Sequence, residues 1–434
     1  MPGLNGFGLN TLALHAGGEP DPTHGARAQP IYLSASFVFQ DCDTAASLFN
    51  MERSGHIDSR LSNPTVAALE TRIAALEGGV GAIATSSGQA ALHLAISTLL
   101  SSGDHIVASR ALSGSSHNLL EHTLPRFGIN TSFVDPRQPE AWRAAVRPNT
   151  RLFFGESLGN PGLDVLDIAK ISHIAHESSV PLLVDATLTP PPLLNSFALG
   201  ADLLIHSATK FLGGHGTAIG GVVVDSGRFD WTASGKFPSL SEAYEGLHGM
   251  NFTEESSTGA FLLRARHEGL HDFGACLSPM NAFQILQGIE TLPLRIERHV
   301  SNTRSILNFL KQHNAIERLN SPELETHPDY ALAKKILPKG CGGVLTFDLK
   351  NGRHGARKFI ENLRLFSHLA NVGDAKSLVI HPASTTHFRM SDQSLRDCGI
   401  GPGTVRLSIG LEQVEDLMED LDRALSAAQK EVRA

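Results

Sequence analysis

The chain has only four cysteines (Cys42, Cys276, Cys341 and Cys398), far apart and never in CxxC spacing. This argues against a structural zinc site or a disulfide framework and for scattered reduced thiols. Long runs of like charge are missing too: the net charge of −8 is dispersed, with no basic stripe for a nucleic acid. No apolar segment approaches membrane-spanning length. The opening MPGLNGFGLNTLALHAG lacks the basic stretch and apolar run of a signal peptide, so the expected location is the cytoplasm. The 21 histidines include no HExxH-type spacing, and no metal is expected. Tyrosine is scarce, with 3 in 434 residues.

What is present reads as a soluble enzyme with two cores. Residues 1–62 are Gly-, Pro- and polar-rich, with one strand-like piece, PIYLSASFVF (30–39). Such an arm is unstable alone and is expected to pack on a neighbouring subunit. From 63 to 270, helical segments such as TVAALETRIAALEGG and QAALHLAISTLL alternate with short apolar runs. These are GAIATSSG, HIVAS, RLFFGES, VPLLVDAT, ADLLIHSAT and GGVVVDS. That alternation predicts βαβ units and a large, mostly parallel sheet covered on both faces. From 271 to 434, long amphipathic stretches, GGVLTFDL and a terminal helix predict a smaller α+β domain.

Ligands of an open parallel sheet bind at the carboxyl ends of its strands. SSGQ (86–89) joins a strand to a helix, and its small residues let backbone N–H groups and the helix dipole meet an anion. Many turns share that composition. Asp185 ends an apolar strand in VDAT, where a capping role is equally open. Lys210 follows a strand in HSATKFLGGHG, beside Ser207 and Thr209, and could be either solvated or a Schiff-base lysine. In this order the three describe a pyridoxal phosphate site: a lysine, a carboxylate for the pyridine nitrogen, and hydroxyls with a helix N-terminus for the phosphate.

The chain resembles the Cys/Met-metabolism family of fold-type-I pyridoxal-phosphate enzymes, which includes cystathionine γ-synthases and γ-lyases, and within it the O-acetylhomoserine sulfhydrylases. The resemblance runs through TLALHAG, SRLSNPTVAALE, SSGQAALHLA, ESLGNPGLDV, HSATKFLGGHGTAIGG, LSPMNAFQILQGIETLPLRIERH, NVGDAKSLVIHPASTTH and VRLSIGLE. It implies that Lys210 anchors the cofactor and shuttles protons, while Asp185 pairs with the pyridine nitrogen. It also implies that Ser87, Gly88, Gln89, Ser207 and Thr209 surround the phosphate, with Asn160, Thr187 and Ser113 beside the cofactor. Arg60 would reach the phosphate of a neighbouring subunit in an obligatory dimer, within a homotetramer. Arg406 would clamp the substrate α-carboxylate, with Ser384 and Asn160 nearby. The implied chemistry acts at Cγ of a γ-substituted L-amino acid through a vinylglycine intermediate, by replacement or elimination. A non-catalytic cofactor-binding protein is the third reading, and an intact Lys210, Asp185 and Arg406 argue against it.

Four positions depart from the family pattern. Asp58 and Ser113 stand where relatives carry tyrosines, and Leu188 and Pro192 replace aromatics in DATLTPPP; Tyr32 alone lies in a matching motif. Asp58 could simply pair with Arg60. A remodelled, roomier and more acidic pocket is the functional reading. It motivates a γ-lyase acting on a cationic substrate such as L-canavanine, giving homoserine and hydroxyguanidine, because a carboxylate binds a guanidinium through paired charged hydrogen bonds. His206, His215, His381 and His387 are expected to be scaffold groups, the last two fixing the carboxylate-binding loop.

Overall fold

The structure is a computed structural model that describes residues 6–388, 393, 395 and 399–429. Cys398 lies outside the described residues, and Cys42, Cys276 and Cys341 are free thiols.

The larger sheet has seven strands: β1 (Gly81–Thr85), β2 (His105–Ser109), β3 (Asn130–Val134), β4 (Thr150–Glu156), β5 (Leu182–Asp185), β6 (Leu203–Ser207) and β7 (Gly221–Asp225). Their order is β1-β7-β6-β5-β4-β2-β3. Only β7 runs against the rest, pairing antiparallel with both β1 and β6. The strands are apolar on both faces because helices cover both, as a doubly covered parallel sheet requires. The expected apolar runs are all strands. β3 is the strand that sequence pattern missed, since INTSFV is half polar and sits at the sheet edge.

Consecutive carboxyl ends therefore meet along one rim: Thr85 of β1, Ser109 of β2, Glu156 of β4, Asp185 of β5 and Ser207 of β6. Register fixes the neighbours, with Glu156 opposite Asp185 and Asp185 opposite Ile205. Two helices frame the rim. Helix α3 (Pro64–Glu77) starts with Asn63 Oδ1 accepting the Thr65 N–H at 2.9 Å and proline in the first turn. It stops at Gly78, whose φ of 75° only glycine adopts without strain. Helix α4 (Gly88–Leu99) is capped by Ser87 and follows β1 directly.

The smaller sheet comprises β8 (Ile316–Asn320), β9 (Val344–Leu349), β10 (Ser367–His368), β11 (Leu378–Ile380) and β12 (Thr404–Ser408), in the order β10-β11-β12-β9-β8. Its strands are antiparallel except for the β10–β11 pair. Its core includes Phe347, Phe359, Leu407 and Leu421. The helix Leu292–Lys311 joins both cores: Leu292, Ile296 and Val300 pack with the larger one, and Ile306, Leu307 and Leu310 with the smaller. The α/β fold class and its two unequal sheets are as the sequence predicts.

The strand expected at 30–39 does not form. That segment is extended but makes a single bridge, Ser36 to Asp58, held by Phe37 N–H donating to Ile57 O at 3.0 Å and Ser59 N–H to Ala35 O at 2.8 Å. Propensity alone cannot make a strand without a partner edge. Helix α2 (Cys42–Phe49) is capped by Asp41 but buries none of its residues.

Candidate active site

The rim opens into a cavity of about 540 Å³ between the two sheets, lined among others by Ser87, Gly88, Gln89, Ser113, Asn160, Asp185, Thr187, Ser207, Thr209, Lys210 and Arg406. Eleven separate sequence predictions thus converge on one wall. Three do not. Ser384 Oγ bonds His381 Nδ1 at 2.7 Å, behind the wall. Arg60 is exposed on the arm, and Asp58 caps its own turn. There the Asp58 Oδ1 accepts the N–H groups of Arg60 at 2.9 Å and Leu61 at 3.2 Å. The pocket around the replaced rings also divides. Ser113 and Leu188 line it, whereas Pro192 turns to a separate surface groove beside Leu9 and Pro293.

Lys210 sits one turn beyond β6, its N–H bonded to Ser207 O at 3.1 Å. Its Nζ donates to Asn371 Oδ1 at 2.5 Å. Burial, then the Arg406 charge, pulls its pKa down to about 8, against the opposing pull of Asp185. The neutral, nucleophilic form of the lysine is thereby far more accessible near physiological pH than that of an exposed lysine.

Arg406 is 4% exposed, on β12. It donates to Asn160 Oδ1 at 2.8 Å and to Asn371 O at 3.2 Å, and burial lowers its pKa to about 10. Among the described residues this buried guanidinium is bonded to a side-chain amide and a backbone carbonyl and to no carboxylate. An incoming carboxylate would supply one.

Asp185 Oδ1 accepts the Thr187 N–H at 2.9 Å, and Thr187 Oγ1 accepts the Ser207 N–H at 2.8 Å. These bonds tie the ends of β5 and β6 together. Burial raises the Asp185 carboxyl, opposed by the Thr187 hydrogen bonds and by the His206 and Lys210 charges. Glu156, which the sequence reading did not single out, is its neighbour across the β4–β5 ladder. Burial and then the Asp185 charge push Glu156 up as well, although it accepts the Ser113 N–H at 2.6 Å and the Asn160 N–H at 3.2 Å. Two adjacent buried carboxyls do not readily ionise together. Glu156 ends an apolar run just as Asp185 does, so the strand-end rule applies equally to it. Asn371 opens NVGDAKSLVIHPASTTH, one of the stretches of resemblance, but nothing in that stretch singled it out from its neighbours.

The anion cradle is built by close backbone approach. Ser87 Oγ accepts the Ala90 N–H at 3.1 Å, opening α4 toward the cavity. A Cβ at Gly88 would lie 2.6 Å from Ser207 Cβ, and one at Gly221 would lie 2.0 Å from Ser87 O. Only glycine permits this packing. Gln89 Nε2 bonds Ser115 O at 3.2 Å, so it braces the facing turn as well as lining the cavity. Thr209 Oγ1 bonds Gly220 O at 3.3 Å.

A buried lysine of lowered pKa, a buried carboxylate one strand away and a helix N-terminus among hydroxyls fit pyridoxal phosphate and an amino acid. The molecule is thus a pyridoxal-phosphate-dependent enzyme of α/β architecture. The family model for Cys/Met metabolism PLP-dependent enzymes matches residues 10–426. The chain is 50% identical over 428 residues to an O-acetyl-L-homoserine sulfhydrylase of Leptospira meyeri, covering 96% of this chain and 97% of that one. It is 46% identical to a homocysteine synthase of Schizosaccharomyces pombe, covering 97% and 98%. It superposes with TM-score 0.94 and 38% identity on a solved Campylobacter jejuni protein provisionally named an O-acetylhomoserine (thiol)-lyase. That match covers 97% of this chain and 100% of the other, which carries N′-pyridoxyl-lysine-5′-monophosphate. This chain belongs to the Cys/Met metabolism family of PLP-dependent enzymes. The names of these relatives lend no support to the expected alternative, a lyase for canavanine.

Proposed function

We propose that this protein is an O-acetyl-L-homoserine sulfhydrylase, replacing the γ-acetoxy group with sulfide to give L-homocysteine and acetate. The observation that carries the reading is that Asn371 holds both Lys210, through its side chain, and Arg406, through its carbonyl. The amine-handling and carboxylate-handling groups of an amino-acid site are thereby set side by side. The substrate's identity follows the names of the relatives.

Pyridoxal phosphate supplies the electron sink that makes protons at Cα and Cβ labile. Lys210 would hold it and, from its buried position, move protons at Cα and Cβ. Asp185 would pair with the pyridine nitrogen, with Thr187, Ser113 and Asn160 beside the cofactor. Ser87, Gly88, Gln89, Ser207 and Thr209 would hold the phosphate. Arg406 clamps the α-carboxylate bidentately, and Ser384 steadies the loop through His381.

The division into an arm (1–62), a cofactor-binding part (63–270) and a smaller part (271–434) belongs to the same reading. So does an obligatory dimer within a homotetramer, in which Arg60 serves the neighbouring subunit. A helix α2 with no buried residue, next to Leu33 and Val38 at 68% and 99% exposure, supports an arm that packs on another copy. Among the described residues no helix is long and apolar enough to cross a membrane, and the cytoplasm is the proposed location.

The test is turnover of O-acetyl-L-homoserine by the cofactor-loaded enzyme with and without sulfide, reading homocysteine, acetate and 2-oxobutanoate. Homocysteine formed only with sulfide is the expected result. Equal acetate release without sulfide, accompanied by 2-oxobutanoate, would replace this reading with elimination.

A further inference from the structure

The chemistry proposed above leaves Glu156 without a task, although it is buried at the end of β4, opposite Asp185, and lines the cavity. Its two oxygens go to two different loops. Oε1 accepts the Ser113 N–H at 2.6 Å, from the turn after β2, and Oε2 accepts the Asn160 N–H at 3.2 Å, from the loop after β4. The loops abut, since a Cβ at Gly159 would lie 2.9 Å from Ala111 O. The second loop also closes on itself, with Leu163 N–H donating to Gly159 O and Gly159 N–H to Asp164 O, both at 2.8 Å. It therefore carries Asn160 as one piece.

Asn160 leads on to Arg406. Its Oδ1 accepts from Arg406 Nη1 at 2.8 Å and so reaches the guanidinium from the larger part of the chain, whereas Asn371 O, at 3.2 Å, does so from the smaller part. Glu156 is thus two hydrogen bonds from Arg406 through a single residue. The choice of residue type matters here. A carboxyl buried beside another carboxyl is costly, and burial and then the Asp185 charge push Glu156 up. Glutamine has the same length without that cost, but it offers one acceptor oxygen where a carboxylate offers two. Two N–H donors from two loops need both.

We infer that Glu156 is a positioning residue for the substrate carboxylate: it holds the Ser113 turn and the Asn160 loop together and so sets the amide that aims Arg406. This rests on the reading of Arg406 as the carboxylate clamp and is independent of which group leaves Cγ.

The test is titration of the cofactor-loaded enzyme with L-norleucine and with L-norleucinamide, followed by the change in cofactor absorbance. Both ligands carry the amine and a side chain without a leaving group, and only the first carries the carboxylate. Glu156→Gln should raise the dissociation constant for L-norleucine about 10-fold or more, because a displaced amide mis-aims the guanidinium fork, and change that for L-norleucinamide less than about twofold. With Asn160→Ala already in place, Glu156→Gln should add less than about twofold to the L-norleucine loss, since residues that act through one another are not additive. Equal losses on the two ligands, no loss on either, or losses that multiply in the double variant would overturn the positioning role and leave the clamp standing. Wild-type enzyme that binds the two ligands equally would remove the clamp reading, and this inference with it. If Glu156→Gln does not hold cofactor, Glu156→Asp takes its place. It keeps the charge beside Asp185 but is a methylene too short to reach both N–H groups. The same contrast between ligands is then expected, and its absence would overturn the inference.

Discussion

At Lys210 a single ionisation controls entry to the chemistry. Only the neutral amine attacks the cofactor's aldehyde, and burial places its pKa near 8 rather than the usual 10.5. The depressed value means the amine is charged below about pH 8 and neutral above it. Capture of pyridoxal phosphate by cofactor-free protein should therefore accelerate about tenfold per pH unit up to roughly pH 8 and then level off. Borohydride trapping followed over time would show this, and a plateau displaced to near pH 10 would refute the buried environment assigned to the lysine. Arg406 makes a complementary prediction. Arg406→Lys keeps the charge but loses the fork, so KM for the amino acid should rise about 10- to 100-fold, as expected for losing roughly 1.5–3 kcal/mol of charged hydrogen bonding. Initial-rate kinetics would separate this from a fall in kcat alone.

Elements matter here through their ends. The β1–α4 junction places Ser87 and Gly88 against β7 so closely that a methyl group at Gly221 would meet backbone at 2.0 Å, with no flexible side chain to yield. Gly221→Ala should cost about 1–3 kcal/mol by overpacking and weaken phosphate retention. Thermal unfolding and cofactor loss on dialysis would register both, and unchanged retention would remove β7 from the cradle. This scale also marks the limit of pattern reading. Strands β5, β6 and β7 and helices α3 and α4 were legible because burial on both faces leaves unbroken apolar runs, and because Asn63, Ser87 and Gly78 are chemical stop and start signals. β3 was missed because an edge strand need not be apolar. The segment 30–39 was overread because its alternation describes a strand whose partner edge this chain does not supply.

For the whole molecule, the two sheets meet at the cavity and the arm leaves it. Val38→Asp places a charge on a fully exposed arm residue, where nothing in the protomer should respond. Under the assembly proposed above, sedimentation velocity should show dissociation to smaller species, with cofactor retention falling because Arg60 no longer reaches its neighbour. An unchanged sedimentation coefficient would argue against the arm as an intersubunit contact. Asp58 now belongs to this scale as well: its carboxylate holds the turn that carries Arg60.

The sequence by itself determined the chemistry. Lys210, Asp185 and Ser87 could be named because each sits at a strand end or turn with residue types suited to one cofactor, and strand ends follow from local period and burial; Arg406, mid-strand in β12, could be named only through the resemblance to the family. The tertiary structure decided which of the replaced aromatics share a space. Ser113 and Leu188 reach the cavity while Pro192 and Asp58 do not, since side-chain direction depends on how loops from distant segments cross. It also revealed Glu156 beside Asp185 and Asn371 bridging Lys210 and Arg406. Each of these is a relation between residues far apart in the chain, set by strand register and by the packing of one sheet against the other, which no local pattern records.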